Sequence, residues 1–129
     1  MIDLIIYGKP IGKGRPRFGR TKSGKPVTYT PQQTKDYEQT VATTAQVGMM
    51  GKLLMEGPVK VEIHAFFYHK TKTGSHASRP DLDNIIKAIL DGLNGVVFKD
   101  DACVAVLLAS KSYVNDEEEE RVEVVVGNV

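Results

Sequence analysis

The sequence has one cysteine, Cys103, so no intrachain disulfide can form and nothing argues for an oxidising compartment. It also lacks any apolar run approaching the roughly 20 residues of a membrane-spanning helix. The first residues, MIDLIIYGKP, show no basic stretch followed by a long apolar core. A secretory leader and a membrane partner are therefore not expected, and a cytoplasmic protein is. No repeat, low-complexity tract or linker interrupts the 129 residues, a length that fits one domain, residues 1–129, with a core of its own. Hydrophobic residues make up 41% and charged residues 26%, ordinary globular usage that gives no case for disorder. His64, His69 and His76 lack a short ligand spacing to cysteine or aspartate, which argues against a zinc site.

Net charge is almost absent, at +1, but the charges that cancel are segregated. Lys9, Lys13, Arg15, Arg17, Arg20, Lys22 and Lys25 follow one another without an acidic residue, while Asp116 and Glu117 to Glu120 form an acidic run near the other end. Clustered Lys and Arg bind phosphate backbones through charge and counterion release, so the basic arm suits a polyanionic partner. Solvation of a basic Gly/Pro-rich loop is the plainer reading of the same residues. The acidic run reads most simply as a solvated turn and strand start.

Local pattern predicts one α+β domain, a mixed β-sheet packed against two main helices. Ile2 to Tyr7 reads as a strand ending at Gly8. Gly8 to Pro26, with five glycines and three prolines, reads as a mobile arm or a long irregular hairpin. Phe18 is its aromatic, suited either to stacking on a base or to anchoring the loop, and Val27 to Thr30 is a possible returning strand. Pro31 suits the first position of a helix running to about Leu54, with Tyr37, Val41, Ala45, Gly48 and Met49 along one face. Val59 to Tyr68 alternates at first, in VKVEIHAF, and reads as a half-buried strand that shows Lys60, Glu62 and His64 on one face. A second helix starts beside Pro80 and Asp81 and runs to Leu93 or Asn94, with Gly95 following its C-cap. Cys103 to Val114 and Arg121 to Val126 are expected to close the fold as an antiparallel hairpin.

The chemistry concentrates between Arg79 and Asp101, in RPDLDNIIKAILDGLNGVVFKDD. Leu82, Ile85, Ile86, Ile89, Leu90 and Leu93 give the second helix a wide apolar face. Asp83, Lys87 and Asp91 stand four residues apart on another stripe. Asp81, at the N-cap, is expected to point toward Asp83 across the helix mouth, and Lys87 to pair with Asp83 at rest. Hard cations such as Mg2+ take oxygen ligands from one or two carboxylates plus substrate phosphates, so this is the composition of a metal site for phosphate chemistry. Helix-start aspartates are equally served by capping and by the macrodipole. Asp100 and Asp101 fit a return toward the sheet edge or a plain polar turn.

These residues resemble the RusA-like Holliday junction resolvases, small endodeoxyribonucleases of phages and prophages. The resemblance rests on Arg79-Pro80-Asp81-Leu82-Asp83-Asn84, Lys87, Asp91, and Lys99-Asp100-Asp101 before Val104, together with GKPIGKGRPRF from Gly8 to Phe18. It implies that Asp81, Asp83 and Asp101 are catalytic metal ligands for Mg2+ and that Lys87 is the catalytic lysine. Asn84, Asp91 and Asp100 become supporting groups. It also implies a homodimer that acts on four-way junction DNA by paired symmetric cleavage. Lys13, Arg15, Arg17, Arg20 and Lys22 are then the expected phosphate contacts. The loop from His69 to Ser78, with Lys70, Lys72 and His76, precedes the acidic helix and suits DNA contact or ordinary solvation. Two other classes fit the same residues: a general branched-DNA or flap metal nuclease, and a non-catalytic nucleic-acid-binding subunit.

Overall fold

Alternating burial along the Val59–Tyr68 segment decides the architecture. A computed structural model describes residues 1–129. In it the elements run β1 (Ile2–Tyr7), β2 (Arg17–Arg20), β3 (Pro26–Tyr29), α1 (Gln32–Gly48), β4 (Val59–Tyr68), α2 (Leu82–Leu93), β5 (Val104–Val114) and β6 (Arg121–Asn128). Val59, Val61, Ile63, Ala65 and Phe67 of β4 are all buried, and such a strand is best used in the middle of a sheet. The main sheet accordingly has the order β1-β6-β4-β5. β4 runs parallel to β5 and antiparallel to β6, and β1 pairs antiparallel with β6. The sheet is mixed and the domain α+β, as the pattern predicts.

The expected β5–β6 hairpin does not form, because β4 lies between the two strands. The crossover through α2 returns the chain parallel to β4, as a strand-helix-strand connection does. The turn after β5 then carries the chain across the end of β4 to its other side. Bonds at that crossing hold it: Tyr68 N–H donates to Glu120 Oε2 at 2.9 Å, and Asn115 Nδ2 donates to the His69 and Lys72 carbonyls at 2.8 and 2.9 Å. Part of the acidic run thus ties down the turn.

Both helices cover one face of the sheet. Tyr37, Val41, Ala45 and Met49 of α1 and Ile85, Ala88, Ile89 and Leu93 of α2 join the inward residues of β1, β4 and β6 in one core. Close approach of the helices depends on Gly92, where an added Cβ would stand 2.6 Å from Val41 Cβ. α1 stops at Gly48 rather than near Leu54; Gly51, at φ +78°, takes a left-handed conformation that a continuing helix forbids.

The basic arm is anchored at its base and formed into a hairpin beyond it. Gly14 N–H donates to Thr34 Oγ1 at 3.0 Å, and Lys13 N–H donates to the Asn84 carbonyl at 2.8 Å. Past this anchor β2 and β3 form a separate two-stranded sheet. No helix of the protein is long and apolar enough to cross a membrane.

Candidate active site

The mouth of α2 is fixed by its apolar face. Ile85 and Ile89 are fully buried, so the helix cannot rotate, and its first two turns present Asp83 and Lys87 to solvent while Asp91 lies half-buried. Asp81 is the N-cap with extended backbone, as expected, but its carboxylate makes no capping hydrogen bond. Asp83 Oδ1 accepts the Asn84 N–H at 3.0 Å. Neither aspartate has a cationic partner within 4.0 Å, although Arg79 and Lys87 are close in sequence. A cleft of about 330 Å³ lies beside them, lined by Gly12, Lys13, Arg79, Pro80, Asp81 and Asn84. The arm closes one side of it: a Cβ on Gly12 would stand 2.9 Å from Pro80 Cβ.

A chain of alternating charges runs away from this mouth. Lys13 Nζ reaches Glu38 Oε1 at 2.9 Å and Asp91 Oδ2 at 2.5 Å; Lys87 Nζ reaches Asp91 Oδ1 at 3.0 Å and Asp101 Oδ2 at 3.2 Å. Glu38, Lys13, Asp91, Lys87 and Asp101 thereby join α1, the arm, α2 and the short turn Asp101–Cys103 that opens β5. Burial penalises the charge on Asp91, but hydrogen bonds from Lys13 and Lys87 outweigh it and hold the carboxyl below its usual range. Burial likewise opposes the charge on Lys13, and its bonds to Asp91 and Glu38 raise its pKa nonetheless. The hydrogen bond to Asp91, then that to Asp101, raises the pKa of Lys87.

Two sequence expectations change here. Lys87 does not pair with Asp83; although a carboxylate one turn N-terminal to a lysine is the better helical partner, Asp91 and Asp101 together offer two carboxylates and win. Lys13, expected among the phosphate contacts, has its ammonium enclosed between Asp91 and Glu38. Arg15, Arg17, Arg20 and Lys22 are exposed on the arm and hairpin, where Phe18 is 85% exposed and anchors nothing. Asp100 is exposed and stands outside the charge chain. Asn84 contributes its backbone carbonyl to Lys13 N–H and its side chain to the cleft wall.

Asp81, Asp83 and Asp101 are not gathered as a three-carboxylate cage, since no three His, Cys, Asp or Glu side chains stand in a metal-holding arrangement. A hard cation that keeps several waters needs only one or two carboxylates and a substrate phosphate. The unpaired oxygens of Asp81 and Asp83 fit that donor chemistry.

Sequence reasoning missed Glu38 and Lys111. Lys111 Nζ donates to the Ser78 and Pro80 carbonyls at 2.6 and 2.9 Å, pinning the segment that leads into Asp81. Its signal was present: Leu107, Ala109, Lys111 and Tyr113 share one side of β5, the side facing the helices, and a lysine in that register calls for partners.

The model of the endodeoxyribonuclease RusA family matches residues 7–127. Among curated proteins, an uncharacterized protein, YqaN, of Bacillus subtilis (strain 168) is 32% identical over 142 aligned positions, which cover 99% of this chain and 96% of that protein. The matched span holds the arm, the acidic helix mouth and the charge chain alike, and the chain belongs to the RusA family of endodeoxyribonucleases.

Proposed function

We propose that the protein is a Mg2+-dependent, structure-selective endodeoxyribonuclease that resolves four-way DNA junctions, acting as a homodimer in the cytoplasm with one site per subunit. The observation that supports this most is the pairing at the mouth of α2: two aspartates without cationic partners, one turn from a lysine already shared between two carboxylates. Asp81 and Asp83 would hold the ion, and Asp101, paired with Lys87 at rest, would join them only once that lysine moves. When bound, the ion supplies Lewis acidity toward the scissile phosphate and the attacking water.

The chain's own groups do the rest. Lys87 is half exposed and held by two partners, so an incoming phosphate can draw its ammonium away from Asp101. That movement frees the Asp101 carboxylate and brings a positive charge to the phosphoryl oxygens, where it stabilises charge that develops in the transition state. Asp91 remains with Lys13 and, in contact with the Lys87 ammonium at 3.0 Å, keeps that charge beside the site. Arg15, Arg17, Arg20 and Lys22 bind backbone phosphates of the junction arms and set affinity without reading sequence. In-line attack leaves a 5′-phosphate and a 3′-hydroxyl.

Cleavage of a synthetic mobile four-way junction tests the reading. Paired symmetric nicks whose products can be religated are expected. Scattered single nicks on junctions and on other branched DNA would instead make the protein a general branched-DNA nuclease.

A further inference from the structure

Beside the acidic cleft lies a second, larger recess of about 480 Å³, within the size range of small-molecule pockets. Phe67, His69, His76 and Tyr113 supply its aromatic walls, and Lys72 and Arg79 bring positive charge. The rings are ordered against one another. His76 stacks on Tyr113 with centroids 4.5 Å apart and planes at 22°, Phe67 meets His76 at 4.5 Å, and His69 meets Tyr113 edge-on at 5.5 Å. The Lys72 ammonium lies 5.9 Å over the Tyr113 ring, at the outer limit of a cation–π contact and on a stem flexible enough to move.

The recess is built rigidly onto the active helix. His76 N–H donates to the Lys111 carbonyl at 3.1 Å and Tyr113 N–H to the Gly74 carbonyl at 2.9 Å, so the loop is laced to the edge of β5. Lys111 then clamps the Ser78 and Pro80 carbonyls. Arg79 and Pro80 line both the recess and the cleft of Asp81 and Asn84, and the two cavities share that wall. Burial, then the charges of Lys111 and Lys72, lower the pKa of His76, which favours a neutral ring as a stacking surface.

Aromatic faces bordered by cations are the chemistry that holds an unstacked nucleobase and its phosphate. We propose that this recess takes the base of a nucleotide next to the scissile phosphate, turned out of its stack, and so positions the strand that Asp81 and Asp83 act on. Tyr113 and His76 are then positioning and specificity residues for the cut. The inference rests on the function proposed above.

Junctions carrying a single abasic site, scanned over the nucleotides on each side of the cut, test it by gel-shift affinity without divalent metal. With the native protein, one abasic position should weaken binding roughly tenfold, the loss of one base-aromatic stack. With Tyr113→Ala the same abasic site should change affinity less than twofold, while Tyr113→Phe, which keeps the ring, should restore the native sensitivity. Circular dichroism of each variant checks that it is folded; should Tyr113→Ala be unfolded, His76→Ala takes its place. If no abasic position has an effect that depends on Tyr113 or His76, the recess binds no base, and the function stands if the native protein cuts junctions. Failure of the native protein to cut any junction overturns that function, and the abasic comparison still decides what the recess holds.

Discussion

Replacing Asp91 by Asn removes the centre of the five-residue charge chain without changing its shape. Asp91 has a side chain only 16% exposed, with Lys13 at 25% and Lys87 at 54%. Breaking a fully buried pair costs about 3 to 5 kcal/mol, while an exposed pair contributes about 0 to 1 kcal/mol. The half-buried Lys13 contact lies between these limits and the Lys87 contact near the lower one, so Asp91→Asn should destabilise the fold by about 2 kcal/mol. Urea unfolding at pH 7 should show this as a midpoint lowered by about 1 M with an unchanged slope. Asp91 titrates below its ordinary value of 3.8. Its stabilisation is therefore complete above pH 3.8 and is lost as pH falls through the lowered folded value. Lys13 and Lys87, raised from 10.5, keep their share below pH 10.5 and lose it as pH rises through their folded values. The native and variant midpoints should stay apart between these limits and converge in acid. Equal midpoints at pH 7, or a difference that does not begin to narrow as pH falls below 3.8, would refute the charge chain as a structural element.

Lys87→Met should lower junction cleavage about 10²- to 10³-fold, as removal of a transition-state charge donor does, and its urea midpoint should move little because the side chain is half exposed; single-turnover rates check the first and unfolding the second. Gly92→Ala forces a Cβ to 2.6 Å from Val41 Cβ and 3.1 Å from the Glu38 carbonyl, an overpacking that should cost about 1 to 3 kcal/mol in thermal or urea unfolding. Neutralising Arg15, Arg17, Arg20 and Lys22 together should weaken junction binding and flatten its dependence on salt, by about 0.9 in the log–log slope for each phosphate that is no longer neutralised; an unchanged slope places the DNA elsewhere.

Elements whose partner is the core were legible from local pattern. β4 alternates through its first half and α2 carries an unbroken apolar face, so both were placed within a residue or two, along with Asp81 as the N-cap. Pairings across the chain were less so. β5 and β6 both look like strands joined by a short acidic turn, the signature of a hairpin, and only the crossover through α2 dictates that β5 lie parallel to β4. Ion pairs between distant segments suffered the same way. Asp83 and Lys87 are ideal neighbours on an isolated helix, but Asp101 is brought to Lys87 by the turn before β5, and Glu38 to Lys13 by the packing of α1 on α2. The aromatic recess depends on a loop laced to a strand edge, for which histidine spacing alone carries no signal.

The most direct test of the catalytic reading compares the native protein with Asp83→Asn on a mobile four-way junction as Mg2+ is titrated. The native protein should make Mg2+-dependent paired nicks at symmetric positions, and the variant should bind the junction with similar affinity and leave it uncut. Undiminished Mg2+-dependent cutting by Asp83→Asn would contradict the assignment, because the carboxylates at the mouth of α2 would then have no part in the reaction.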